Sequence, residues 1–218
     1  MKISVAMIVY NGALFLEEAL ASVFVQSRPP DEIIVWDDGS TDATPEILAG
    51  KKCRLRWIRG KTNQGAVVEE ASNSRIVFLD ADDRFHEEAI ASFEAIASSN
   101  RNIDMIFGKM RNFFDLEGGK TEEQNGGKWQ QGRTNGNLFV KREAFLTASC
   151  RVQGKPRAEF VSWYQAAKEV GLSELDFDAP ILERRIHAAN ASRHPETKRE
   201  LFTSLRQHLE AKRRGEST

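Results

Sequence analysis

Three carboxylates stand directly after an apolar run near the middle of the chain. Residues 76–79 read IVFL, and Asp80, Asp82 and Asp83 follow them. A short continuous apolar run predicts a strand that is buried on both faces, as in a parallel sheet covered by helices. Acids gathered at the end of such a strand repel one another and persist mainly where a cation compensates them. Carboxylates suit a hard divalent metal that keeps positions for phosphate oxygens, so the segment predicts a metal–diphosphate site.

The elements before this segment place further polar groups at strand ends. Residues 32–36 predict a second buried strand, which ends at Asp37 and Asp38. A first strand over residues 3–10 stops at Asn11, and the helix after it carries apolar residues at helical spacing. Strands that alternate with helices predict a doubly wound α/β domain. In such a domain the ligand binds in the crevice at the carboxyl ends of the strands.

These joined motifs resemble the opening of a family 2 glycosyltransferase. The motifs that carry the resemblance are VYN at residues 9–11, DDGSTD at 37–42, TNQG at 62–65 and FLDADD at 78–83. The resemblance covers residues 3–85 strongly and residues 134–192 more weakly. It implies the GT-A fold, a Rossmann-like, doubly wound and mostly parallel central sheet flanked by helices. It also implies transfer from a nucleotide-diphosphate sugar, usually with inversion at the anomeric carbon.

The resemblance also implies roles for the residues at these strand ends. The implied nucleotide-sugar contacts are Val9, Tyr10, Asn11, Asn63 and Ala81, together with Asp38 or its neighbour Asp37 on the base, which is commonly uracil. Asp80 would face the ribose and the metal, and Asp82 would bind a Mn²⁺ or Mg²⁺ that bridges the two phosphates. Such a metal would act as Lewis acid and template for the departing diphosphate.

A catalytic base is implied in the second half of the chain. Inverting enzymes need a carboxylate near the acceptor hydroxyl, and family members often supply it from a Glu-Asp pair shortly before a helical tryptophan. Here Glu159 stands four residues before Trp163, and such positions share one face of a helix. Glu159 is therefore the candidate base. The alternative is a surface glutamate that the helix dipole favours in a first helical turn.

Basic residues near the end of the chain resemble the closing segment of the family. Arg184 and Arg185 could bind phosphate oxygens, and a neutral His187 could complete a metal shell formed with Asp80 and Asp82.

One departure from the family pattern lies between residues 65 and 78. Members usually carry a longer helix with an Arg-Asn pair there, whereas this chain is shorter by about two helical turns at most and offers only Arg75. This departure favours an alternative function, a domain that binds a nucleotide sugar without turnover. A nucleotidyltransferase is a third alternative, but residues 10–13 (YNGA) lack the basic Gly-rich loop that normally holds a triphosphate.

Length and composition set the remaining expectations. The 218 residues predict one glycosyltransferase domain, with a nucleotide-sugar half over 1–110, an acceptor half over 111–192 and a C-terminal helix over 193–218. A net charge of −1 gives no field that would favour nucleic acid. No apolar run is long enough to span a membrane, and we expect a cytoplasmic protein.

Two further expectations concern the partners and the middle of the chain. The C-terminal helix could pack on a second copy to give a homodimer, or its basic last turn could touch a membrane surface where lipid-linked acceptors reside. Residues 115–137 predict a long loop or loose hairpin, in which Trp129 stacks on a sugar or anchors the loop. The acceptor itself is left unidentified by the sequence.

Overall fold

Short apolar strands alternate with helices along the first half of the chain in the computed structural model. The elements of this half are β1 (Ile3–Val9), α1 (Leu16–Phe24), β2 (Glu32–Asp37), α2 (Thr44–Ala49), β3 (Arg56–Arg59), α3 (Val67–Glu70), β4 (Arg75–Phe78), β5 (Arg84–Phe85) and α4 (Ala89–Ser99). The second half contains β6 (Met105–Asp115), β7 (Thr121–Glu123), β8 (Gln130–Gln131), β9 (Leu138–Lys141), α5 (Arg142–Ser149), α6 (Glu159–Glu169) and β10 (Glu174–Ile186). The structure describes residues 1–60, 67–115, 121–123, 127–152 and 159–187.

The strands form one mixed sheet in the order β3-β2-β1-β4-β9-β6-β10-β5, and β7 and β8 pair with β6. β1 pairs in parallel with β2 and β4, β2 with β3, and β10 with β6. β9 is antiparallel to both of its neighbours. Because β1, β2 and β4 are parallel neighbours, their carboxyl ends meet at one edge of the sheet. The predicted α/β fold with a mostly parallel central sheet is confirmed.

Helices cover both faces of the sheet, which explains why the central strands are apolar without alternation. Successive side chains of a strand point to opposite faces, so β1 contributes Val5 and Met7 to one core and Ala6 to the other. The first core also takes Leu20 from α1, and the second takes Trp163 from α6. This sandwich fixes the strand ends that carry the polar residues.

Part of the middle segment is better ordered than a loop. Residues of β7 and β8 pair with β6 in antiparallel register, which favours the hairpin alternative for residues 115–137. The ring of Trp129 lies 5.0 Å from the Arg111 guanidinium carbon and meets the edge of the His86 ring at 5.7 Å. These contacts anchor Trp129 to the domain.

No helix among the described residues has the length and apolar character that a bilayer span requires. The expected C-terminal helix over 193–218 lies outside the described residues, and the division of the chain into two halves stays a prediction.

Removing the Phe93 ring tests the first core. Phe93 is fully buried and stacks on Phe139, with ring centroids 5.2 Å apart. Replacing Phe93 with Ala leaves a cavity, so we expect the free energy of unfolding in urea to fall by about 3–5 kcal/mol. Val25→Ala is the control, because Val25 is 68% exposed and its truncation should change that free energy by less than about 0.5 kcal/mol. Equal effects of the two substitutions would contradict the assigned core.

Candidate functional site

The first wall of the site is a turn after β2 that is tied to the end of β1. Asn11 has a positive φ of 49°, its side-chain oxygen accepts a hydrogen bond of 2.8 Å from the Thr41 amide, and its own amide donates to Ser40 Oγ at 2.9 Å. The buried Asp37 accepts a bond of 2.8 Å from the Ser40 amide through Oδ1. Gly39 permits this turn, since its φ of 86° suits glycine. Asn11 and Asp37 therefore build the wall.

Two side chains of this wall remain open to a ligand. Tyr10 is 63% exposed, and Asp38 is partly exposed. Asp38 Oδ1 is buried and has no hydrogen-bond partner among the described residues. Desolvation, helped by the neighbouring charge of Asp37, raises the pKa of Asp38. Of the two acids, Asp38 is the one that keeps solvent contact, since Asp37 is fully buried, and the side chain of Val9 is buried in the core.

The second wall is the acidic turn, which we define as residues 80–83 at the end of β4. Asp80, Asp82 and Asp83 each offer a carboxylate oxygen, and these atoms lie within 4.8 Å of one another. The Asp83 amide donates to the Asp80 carbonyl at 3.1 Å, which closes the turn. Ala81, between them, packs against the first core. The turn therefore concentrates negative charge at the same edge as Asp38.

Like charges and desolvation change the titration of this turn. Asp80 keeps solvent contact, yet the protein around it desolvates its carboxyl, and this effect together with the Asp82 charge raises the pKa of Asp80 to about 6. Arg184 opposes that shift. Asp83 is only 3% exposed, and its burial and the two neighbouring acids raise its pKa well above the ordinary value. A bound cation would relieve this repulsion.

The end of β10 closes the site from the far end of the chain. His187 Nε2 lies 2.9 Å from Asp82 Oδ2, and the His187 ring lies 4.6 Å from the ring of Phe15. Arg184 is close enough to lower the pKa of both Asp80 and Asp83. The predicted meeting of His187 and Asp82 is therefore present in the fold.

Arg185 differs from Arg184 in its surroundings. Its side chain is 4% exposed, its Nε donates to the Asp82 carbonyl at 2.8 Å, and its guanidinium pairs with Glu18. Of the two arginines, Arg184 is the candidate for phosphate contact, and Arg185 supports the acidic turn.

Two expectations from the sequence need correction. Arg75 cannot replace the missing family arginine, because it is buried at the first residue of β4 and donates to the Arg101 and Ile103 carbonyls at 3.3 and 3.4 Å. Three strand residues, or about 10 Å, separate it from the end that carries the site. The expected shared pocket wall of Glu159 and Trp163 is also unsupported. Trp163 is buried, stacks on Phe145 at 4.7 Å and donates to its carbonyl at 3.1 Å.

Two candidate residues cannot be placed by their side chains. Glu159 is the first residue of α6, but its side chain lies outside the described part of the structure. Asn63 lies outside the described residues altogether. Both assignments stay predictions.

The residues present fit a divalent cation. Carboxylate oxygens of Asp80 and Asp82 and the imidazole nitrogen of His187 form a set of hard oxygen donors with one nitrogen donor, and carboxylate and water ligands suit Mn²⁺ and Mg²⁺. Desolvation and the Asp82 charge raise the pKa of Asp80, and the charge of Arg184 offsets them only in part.

Comparison with known proteins agrees with this geometry. A mostly parallel sheet with acidic residues at the ends of its strands is the arrangement of an α/β domain of the GT-A type. The model of Glycosyl transferase family 2 matches residues 4–151, and the chain belongs to this family.

Several relatives match about half of the chain. An uncharacterized glycosyltransferase of Mycoplasma genitalium is 30% identical over 122 residues, which are 49% of this chain and 41% of that protein. A poly(ribitol-phosphate) beta-glucosyltransferase of Bacillus spizizenii is 31% identical over 123 residues, which are 51% of this chain and 19% of that protein. The matched stretch thus spans less than half of each of these relatives.

A solved structure extends the fold comparison. TarS of S. aureus, in complex with UDP-GlcNAc, matches with a TM-score of 0.69 and 19% identity, over 87% of this chain and 60% of that chain. At this identity the match concerns the fold alone, and it confirms the GT-A architecture.

The raised pKa of Asp80 predicts that Asp80→Asn stabilises the metal-free protein, and that the size of this effect depends on pH. The folded-state pKa of about 6 exceeds the ordinary 3.8, so the folded protein favours protonated Asp80. As pH rises through 6 the carboxyl ionises in the folded state, and the free energy of unfolding falls. At pH 7.5 with EDTA, we expect Asp80→Asn to raise the free energy of unfolding by about 1 kcal/mol or less, since solvent screens an exposed group. The gain should vanish below pH 4 in urea titrations.

Asp104→Asn provides a control of opposite sign. Burial alone would raise the pKa of Asp104, but hydrogen bonds from Lys141 and Ser173 outweigh it and lower that pKa. Asp104→Asn should therefore destabilise the protein at pH 7.5, with a difference that shrinks as pH falls below 4. The same sign of effect at pH 7.5 for both variants would refute the electrostatic assignment of the acidic turn.

Proposed function

We propose that this chain transfers a hexose from a UDP-sugar to an acceptor hydroxyl, with inversion at the anomeric carbon and with a divalent metal. The observation that carries the proposal is the meeting of the acidic turn with Arg184 and His187, at the sheet edge where Asp38 follows β2. Membership of glycosyl transferase family 2 supports the reaction class.

The UDP assignment is supported by the first wall of the site. The exposed ring of Tyr10 can stack on a base, and the partly exposed carboxylate of Asp38 can accept the N3–H of uracil. Cytosine presents no donor at N3, so this acceptor favours uracil over cytosine. The complex of TarS with UDP-GlcNAc is consistent with this choice of donor.

The diphosphate would lie between the acidic turn and the end of β10. Asp80, Asp82 and His187 are the residues that would hold Mn²⁺ or Mg²⁺, and the metal would supply Lewis-acid stabilisation of the leaving diphosphate. Arg184 adds positive charge on the same side, where it can contact phosphate oxygens.

Glu159 is the proposed base. Its carboxylate would take the proton of the acceptor hydroxyl while the hydroxyl oxygen attacks the anomeric carbon and the bond to the diphosphate breaks. Glu159 begins α6, and that helix packs on α5 through Trp163 and Phe145.

A second candidate function is donor binding without turnover. The observation that favours it is the short stretch between residues 65 and 78, which contains α3 (Val67–Glu70), where family members carry a longer helix. The two functions differ in turnover alone, so a kinetic measurement separates them.

The remaining assignments are also proposals. The acceptor is an unidentified hydroxyl compound. A cytoplasmic location, a homodimer and a weak membrane-surface contact through residues 193–218 stay predictions, and we propose no nucleic-acid partner.

Calorimetric titration of UDP, GDP and CDP, each with and without Mn²⁺, tests the donor site. We expect UDP to bind with Mn²⁺ and Asp82→Asn to weaken that binding about 100-fold or more, since several kcal/mol of metal-mediated contact are lost. Asp178→Asn is the matched control, because Asp178 is an exposed acid on β10 that pairs with Lys109. An affinity for UDP that is the same with and without Mn²⁺, and the same in Asp82→Asn, would contradict the metal site.

Release of UDP from UDP-GlcNAc, with water as the acceptor, tests the base. Glu159→Gln should lower the turnover rate by about 10²–10⁴-fold and leave the affinity for UDP unchanged, because the base acts only on the acceptor. Glu143→Gln is the control, since Glu143 is an exposed acid in the first turn of α5. Donor binding without turnover in the unchanged protein, for every sugar conjugate and acceptor offered, would support the second function.

A further inference from the structure

We propose that Arg185 is a positioning residue, which holds the acidic turn in the conformation that can receive the metal. This inference rests on the proposed metal-dependent function. It assigns to Arg185 a role distinct from the phosphate contact expected from the sequence, and it adds Glu18 and Phe15 as its supports.

Arg185 contacts the acidic turn at two points. Its backbone amide donates to Asp83 Oδ1 at 2.8 Å, and its Nε donates to the Asp82 carbonyl at 2.8 Å. The first contact directs the Asp83 carboxylate inward, and the second fixes the peptide between Asp82 and Asp83. The Asp82 carboxylate is then left to meet His187, two residues further along the chain.

The surroundings of the guanidinium make this arrangement rigid. The guanidinium carbon lies 4.6 Å from the ring of Phe15 and 4.7 Å from the ring of Phe113. A cation desolvated between two aromatic rings is attracted to both of them. Glu18 of α1 supplies the opposing carboxylate, without which a buried charge would be costly. The acidic turn is thus connected to α1 through one side chain.

The end of β10 divides two tasks between adjacent residues. Neighbouring strand residues point to opposite faces, so the side chains of Arg184 and Arg185 reach the acidic turn in different ways. Arg184 acts on the acids as a nearby charge, whereas the Arg185 side chain donates to the backbone carbonyl of Asp82 in the turn. Supporting contacts of this kind orient metal ligands, and their loss typically lowers metal affinity.

The test is Mn²⁺ affinity, measured from the electron paramagnetic resonance signal of free Mn²⁺ in the presence of saturating UDP. Arg185→Gln should weaken Mn²⁺ binding about tenfold or more, as removal of other supporting contacts does. Glu18→Gln should give a smaller loss in the same direction. Affinity for UDP without metal should stay unchanged in both variants, provided that circular dichroism confirms folding.

Arg84→Gln is the matched control. Arg84 pairs with the same Glu18 at 2.7 Å and lies over the same Phe113 ring at 4.1 Å, but no hydrogen bond joins its side chain to the acidic turn among the described contacts. If Arg84 and Arg185 only support the fold, Arg84→Gln and Arg185→Gln should change the Mn²⁺ affinity equally. A positioning role predicts Mn²⁺ affinity at the unchanged level in Arg84→Gln.

The outcomes separate this inference from the proposed function. Mn²⁺ binding by Arg185→Gln at the affinity of the unchanged protein overturns the positioning role alone. Absence of Mn²⁺ binding by the unchanged protein overturns the proposed metal site and, with it, this inference. If Arg185→Gln does not fold, Glu18→Gln decides, and unchanged Mn²⁺ affinity in that variant also overturns the positioning role.

Discussion

Repulsion among Asp80, Asp82 and Asp83 is the constraint on which the rest of the site depends. Their carboxylate oxygens lie within 4.8 Å of one another at the end of a buried strand, close enough for their charges to interact. Desolvation and this repulsion raise the pKa of Asp80 and Asp83, and the charge of Arg184 on β10 opposes the shift. A bound cation would lower this repulsion, and it could bring phosphate oxygens to the same edge of the sheet.

The order of strands explains how distant segments supply this site. β1, β2 and β4 are parallel neighbours, so residues near 10, 38 and 80 meet although they are far apart in sequence. β10 lies on the other side of β9 and β6, and its end returns to the acidic turn through Arg185 and His187. The first half of the chain thus provides the acids, and the last described strand provides the bases that balance them.

The sequence predicted the sheet and its acidic edge, because apolar strands and carboxylates after them are local signals. The sequence did not distinguish the role of Asp37 from that of Asp38, or the role of Arg184 from that of Arg185. Those distinctions depend on which neighbour each side chain meets, such as the Ser40 amide for Asp37 and Glu18 for Arg185. Glu18 carried no sequence signal beyond its place in the first turn of an amphipathic helix, where acids are common anyway.

The central claim is that the acidic turn and the end of β10 jointly hold a metal against a nucleoside diphosphate. Anomalous X-ray scattering from crystals grown with Mn²⁺ and UDP tests it most directly. The account predicts one anomalous peak within about 2.3 Å of an Asp82 carboxylate oxygen and in contact with the UDP phosphates. A peak bound elsewhere, or UDP bound at the acidic turn without any peak, would contradict the account.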